Sequence, residues 1–198
     1  MAKKESTFLN MVLTLLIVTA VASFTLGSVY NLTKEPILRA REEARQEAIR
    51  MVVPEFDELE LMKFMPAAGN DSLEFNLAYR DGELVGVAVA TYTGMGYSGR
   101  IRAMVGFSPA GSILDVVHLE HKETPGLGDK IDKSKSDWSD QFRGFDPAAQ
   151  SLRVRKDGGE VDAITAATIT SRAYCDAIDR AYQTLKEHSE SIIKKEGE

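Results

Sequence analysis

The sequence predicts an α+β protein behind a single transmembrane helix, with an antiparallel, twisted sheet core packed with helices. Three observations carry that prediction. A long uncharged apolar stretch comes first, two hairpin signals follow in mid-chain, and an amphipathic helical repeat lies beyond them.

The apolar stretch sets the first element. After Lys3, Lys4 and Glu5 no charged residue occurs before Lys34, and FLNMVLTLLIVTAVASFTLGSVYNL fills the interval. Crossing a bilayer takes about 20 mostly apolar residues. Ala20-Val21-Ala22 also fits a signal-peptide cleavage site, but the apolar run continues through Phe24, Leu26 and Val29 to Leu32. That length favours a retained anchor, so residues 1–33 are expected to form a short basic tail and a transmembrane helix. Lys3 and Lys4 lean toward a cytoplasmic tail, yet Lys34, Arg39 and Arg41 follow the apolar run, and charge alone does not set the orientation.

Residues 34–54 turn helical, with Ile37, Ala40, Ala44, Ala48 and Val52 recurring at spacings of three and four among Glu and Arg. Pro36 suits a first helical turn and Pro54 a stop, which predicts a stalk helix joining membrane to domain, with a charged surface helix of the domain itself as the alternative. Residues 55–198 are then the globular domain. LEFNLAYRDGELVGVAVATYT reads as a hairpin around Asp81-Gly82. RIRAMVGF and SILDVVHLEH form a second pair around Ser108-Pro109-Ala110-Gly111. KETPGLGDKI is a loop, Asp137 to Phe145 is polar around Trp138 and Phe142, and SLRVRKDGGEVDAI predicts a further strand and a turn. Thr170 to about Leu185 is an amphipathic helix bearing Ala173, Ala177, Ile178, Ala181 and Leu185.

Composition excludes several classes of function. A net charge of −6 with scattered basic residues gives no electrostatic case for nucleic acid. Cys175 is the only cysteine, so an internal disulfide and a thiolate metal cluster are ruled out. Of the histidines, His118 and His121 stand three apart in a strand-like run. Side chains so spaced point to opposite faces, and no metal site is expected from them.

Three stretches carry chemistry. DAITAATITS, Asp162 to Ser171, places four hydroxyl residues at a strand-to-helix junction. The first amides of a helix lack backbone partners and favour an anion, so a phosphate fits there. A redundant helix cap by Thr168, Thr170 or Ser171 fits the same residues. ETPGLG, Glu123 to Gly128, is an irregular loop whose backbone can approach a flat ligand closely, or a plain connection. GMGYSG, Gly94 to Gly99, is glycine-rich but is followed by a strand rather than the helix of a dinucleotide-binding turn.

The order GMGYSGRIRAMVG, HLEHKETPGLGDKI, WSDQF and DAITAATITS before a final helix resembles the FMN-binding domain of a flavoprotein family. That family comprises the G subunit of the Rnf electron-transport complex and the related C subunit of the sodium-pumping NADH:quinone reductase. The likeness covers nearly the whole chain, including the anchor and the TKEPI segment after it. Chain length favours the Rnf-type member. The alternatives are the quinone-reductase member, a membrane-tethered FMN- or ligand-binding sensor domain, and an anchored assembly protein without flavin.

The resemblance implies residues as well as a class. In the family, an Asp-x-x-Ser/Thr-Gly-Ala-Thr pattern carries FMN as a phosphoester on its last threonine, installed from FAD by a separate flavin transferase. Laid on this chain it gives Asp162, Thr165, Ala166, Ala167 and Thr168, with Thr168 as the acceptor. Ala166 stands where the family has Gly. The loop residues Glu123, Thr124, Gly126, Leu127 and Gly128 would approach the flavin, with Tyr97 and Trp138 as possible aromatic neighbours. No side chain is implied as an acid or base. The implied role is an electron carrier between ferredoxin and NAD, coupled to sodium or proton translocation. Its partners would be the other membrane and redox subunits, in a bacterial cytoplasmic membrane with the FMN domain on the periplasmic side.

Overall fold

The computed structural model describes residues 7–193. Helix α1 runs from Phe8 to Val52 without a break, and carries Pro36 inside it. Pro36 therefore lies inside a helix and does not open one, which corrects its expected place in a first helical turn. Proline removes one N–H and its i−4 hydrogen bond, but the apolar helix before it and the Ala-, Glu- and Arg-rich sequence after it carry the helix through. Helix ends at Val52, where Pro54 denies helical backbone to the residue before it. α1 is long and apolar enough to cross a membrane, and its side chains from Phe8 to Leu32 are exposed.

The chain divides into two compact units, residues 1–43 and Ala44–Glu198. The second holds a five-stranded antiparallel meander in the order β1-β2-β3-β4-β5. Its strands are β1 (Glu58–Phe64), β2 (Leu73–Arg80), β3 (Glu83–Gly96), β4 (Gly99–Phe107) and β5 (Ile113–Glu120). The β2–β3 hairpin turns at Asp81 and Gly82 with φ of 53° and 82°. Two successive positive values are what a tight primed turn requires, and Asp-Gly supplies them. GMGYSG is a second hairpin tip, where Gly96 pairs with Gly99 across Tyr97 and Ser98.

β1 was not legible in the sequence. ELELMKF is an edge strand whose Leu59 and Leu61 stay exposed, so its alternation has charged and apolar residues on unexpected faces. The strand expected in SLRVRKDGGEVDAI is also corrected. That segment makes only the isolated parallel bridge Val154–Val161 around a 3-10 turn at Arg155–Asp157. Gly159 lies so close to the Arg153 carbonyl that a compact loop, not an extended strand, is enforced.

Both faces of the sheet are covered at its centre. On one, Leu73, Phe75, Leu77, Val87, Val89, Ile101, Val105 and Phe107 meet Ala173, Tyr174, Ile178 and Ala181 of helix α2 (Thr168–Glu187). Thr91 Oγ1 donates to the Ala177 carbonyl at 2.8 Å, fixing helix against strand. On the other, Ala78, Ala88, Ala90, Met104 and Val117 meet Ala48, Ile49 and Val52. Small alanines and Gly106 on this face let the last turn of α1 lie against the sheet backbone. α3 (Ser189–Ile193) follows α2.

One further expectation fails here. A bulge at Leu119 shifts the β4–β5 register between Arg102–Glu120 and Ala103–His118. The extra residue cancels the alternation, and the His118 and His121 rings meet edge-to-face at 5.0 Å instead of pointing apart.

A side chain at Gly106 would overlap the Val52 carbonyl. Gly106→Ala is expected to destabilise the domain by roughly 2 kcal/mol, within the range for overpacking. Denaturant unfolding of the parent and variant checks this.

Candidate functional site

Glu123 joins the three chemistry-bearing stretches. The residue is only 5% exposed. Oε1 accepts the Ser98 backbone N–H at 3.0 Å, and Oε2 accepts the Thr170 hydroxyl at 2.5 Å. GMGYSG, ETPGLG and the start of α2 are thereby held around one buried group. Two glycines make room for it. A Cβ at Gly96 would stand 2.8 Å from Glu123 Oε1, and one at Gly128 would stand 2.8 Å from both Glu123 Oε2 and Thr170 Oγ1. Gly126, at φ 77°, turns the loop, and Leu127 N–H bonds back to the Thr124 carbonyl at 3.1 Å.

The α2 N-terminus faces this assembly without a cap. Its N-cap position is Ala167, and no side chain bonds to the free amides. The other hydroxyls are committed elsewhere: Thr170 to Glu123, and Ser171 to the Ile164 N–H at 2.9 Å and the Ala167 carbonyl at 3.1 Å. The expected cap by Thr168, Thr170 or Ser171 does not form. Helical bonding begins with Ser171 N–H to the Ala167 carbonyl at 3.0 Å. Among the described residues, the amides of Thr168, Ile169 and Thr170 have no partner. They point where the helix dipole is positive.

A cleft of about 460 Å³ opens at this point, lined by Tyr97, Glu123, Thr124, Leu127, Gly128, Ala166, Ala167, Thr168, Ile169 and Thr170. Its rim is apolar and exposed: Tyr97 is 68%, Ile169 48% and Leu127 41% accessible. The half-buried Thr168 lies at the helix end. These residues fit a phosphorylated flat ligand: unpartnered amides for the phosphate, small residues beside it, and an apolar rim for a ring. No histidine or cysteine lines the cleft among the described residues, and burial pushes the Cys175 thiol up to about 12.

Not every residue singled out in the sequence reaches the cleft. Glu123, Thr124, Leu127, Gly128, Ala167 and Thr168 do, whereas Gly126 shapes the loop without lining it. Thr165 is exposed beside the opening turn. Asp162 lies in a neighbouring depression, its carboxylate 2.9 Å from Arg155 Nε and its backbone bonded to Gln141 and Trp138. Trp138 packs edge-to-face on Phe142 and Tyr174 in the core. Sequence reasoning missed the roles of Ser98 and Thr170 as partners of Glu123. Only the conjunction of a glycine-flanked serine and a buried-face threonine signals them.

Ala166 has φ 63°. The position that opens α2 therefore needs the left-handed backbone that glycine adopts freely and alanine adopts under strain.

The family model described as "FMN-binding domain" matches residues 96–183, an interval that contains every residue lining the cleft. The G subunit of an ion-translocating oxidoreductase complex from Vibrio vulnificus is 32% identical over 193 residues, 92% of each chain. The chain belongs to this family of ion-translocating oxidoreductase G subunits. A family member from Aliivibrio fischeri is 34% identical over 93% of this chain and 92% of its own. The member from Shewanella piezotolerans is 42% identical over 120 residues, a match spanning 57% of its length. The matched domain is named for FMN, and it contains the cleft.

Two outcomes follow from this geometry. Glu123→Ala strands the Ser98 amide and the Thr170 hydroxyl and is expected to cost about 2–4 kcal/mol, and Thr170→Val, which leaves the buried carboxylate oxygen without its donor, about 1–3 kcal/mol. Ala166→Gly relieves the left-handed strain and is expected to stabilise by about 0.5–1 kcal/mol after glycine's greater unfolded-state entropy is subtracted. Thermal unfolding of the three variants measures both.

Proposed function

We propose that this chain is a membrane-anchored electron carrier whose FMN is attached through a phosphoester to Thr168, working as one component of an ion-translocating oxidoreductase complex. The observation that carries the proposal is the placement of Thr168. It is a cleft-lining threonine at a helix N-terminus whose free amides are left uncapped. A phosphodiester formed there keeps one negative charge, and the amides of Thr168, Ile169 and Thr170 with the helix dipole offset it.

The remaining residues have positioning tasks. Glu123, through Ser98 and Thr170, holds the glycine loops at a fixed spacing from the helix end. Thr124, Leu127 and Gly128 present backbone and a small apolar surface to one side of the cleft, and Tyr97 and Ile169 extend that surface outward. When bound, FMN supplies the electron transfer itself, while the chain sets its position and polarity. The rim residues Tyr97, Ile169 and Leu127 are exposed, where a redox partner would approach a bound FMN.

The carboxylate that lines the cleft, Glu123, is committed to Ser98 and Thr170 rather than to Thr168, which agrees with attachment by a separate flavin transferase. Thr168 Oγ1 gains the bond to the phosphorus delivered from FAD, its proton passes to the transferase, and AMP leaves. α1 anchors the domain in the bacterial cytoplasmic membrane, residues 34–54 connect anchor to domain, and residues 55–198 form the FMN domain on the periplasmic side. Other membrane and redox subunits of the complex would exchange electrons with it. The overall reaction proposed runs between ferredoxin and NAD and is coupled to sodium or proton translocation.

The test is the intact mass of the full chain and of Thr168→Val, each co-expressed with a flavin transferase and then denatured. The expected result is a gain of one FMN in the parent and none in the variant. A bare parent chain, with the transferase active on a control substrate, would sink the covalent assignment.

A further inference from the structure

We propose that His118, His121 and Asp132 form a binding site for a divalent transition cation, with Zn2+ as the best match. The site lies outside the flavin cleft and does not depend on it. One ligand atom from each residue falls within 4.8 Å of the other two, and all three residues are half-buried. Two imidazole nitrogens and a carboxylate oxygen form a familiar zinc donor set, with a fourth position left to water.

The spacing leaves room for a cation between the ligand atoms. His118 Nε2 and Asp132 Oδ2 face each other at 3.8 Å, beyond hydrogen-bond length. Ligand bonds of about 2 Å each bring two donors to a separation of this order. The second carboxylate oxygen is already engaged, because Asp132 Oδ1 accepts the Ser134 N–H at 2.8 Å. That bond orients the carboxylate and leaves Oδ2 toward the histidines. The bulge at Leu119 supplies the remaining condition, since a regular strand would hold the two rings on opposite faces.

The site also touches the flavin loop. His121 and Asp132 bracket the whole of ETPGLG, and His121 Nδ1 accepts the Glu123 backbone N–H at 3.2 Å. Ligation through Nδ1 would take that lone pair, and ligation through Nε2 would place a proton on Nδ1. Either mode releases the Glu123 amide. Cation binding therefore alters the residue that holds the three site segments together.

The experiment is titration calorimetry of ZnCl2 into the untagged full chain in detergent after stripping with EDTA. One Zn2+ per chain is expected. His118→Gln, His121→Gln and Asp132→Asn should each weaken binding by about 100-fold, whereas substitution of His188, which stacks on Phe64, by Gln should not change it. Should a variant fail to fold in EDTA, Co2+ absorption by the parent replaces it. Visible bands of four-coordinate strength, displaced by Zn2+, support the site; the weak spectrum of aqueous Co2+ overturns it. No stoichiometric Zn2+ binding, or binding untouched in a folded Asp132→Asn chain, also overturns the proposal.

Discussion

The site depends on one buried carboxylate. Glu123 has its two oxygens committed to two different segments, the Ser98 amide in the β3–β4 hairpin tip and the Thr170 hydroxyl in the first turn of α2. A buried acceptor is costly unless its partners are in place, so the group acts as a template for all three segments at once. Gly96 and Gly128 are the visible consequence, because any side chain at either position would occupy the space of the carboxylate. The glycine-rich motifs are as much about admitting Glu123 as about admitting a ligand.

Thr170 cannot cap α2 while it serves Glu123, and Ser171 is tied to Ile164 and Ala167. The crowd of hydroxyls in DAITAATITS therefore leaves the helix start open, contrary to what its composition favours. Stability is given up at the cap and recovered at the clamp, which is the usual relation between a functional site and its surroundings. The left-handed Ala166 adds a second local strain at the same turn. Behind these features the sheet is gripped from both faces, by α2 on one side and the last turns of α1 on the other.

The same loop is bordered by a second polar cluster. His118, His121 and Asp132 sit where ETPGLG leaves the sheet and where the 3-10 turn Gly128–Ile131 ends. Burial lowers the His118 pKa from its ordinary value, with the Asp132 charge opposing in part. For Asp132, burial raises the pKa but bonds from Ser134 outweigh it and hold the carboxyl below its usual range. The ETPGLG loop and the histidine cluster thus share the Glu123 residue, through its side chain on one side and its amide on the other.

Much was determined by sequence alone, because it rests on local chemistry. The anchor follows from composition, the Asp81-Gly82 hairpin from turn stereochemistry, and α2 from its apolar period. The motif order placed Glu123, Thr124, Leu127, Gly128, Ala167 and Thr168 together, and all six line one cleft. What local pattern could not decide required partners distant in sequence. The edge strand β1 forms because β2 offers it a ladder, and Pro36 stays within α1 because the helix on either side persists through it. Asp162 turns to Arg155, the Leu119 bulge pairs two histidines, and Thr170 abandons the cap for Glu123 47 residues away. Only the tertiary structure could make those choices, because each is a competition between a local partner and one that folding alone brings within reach.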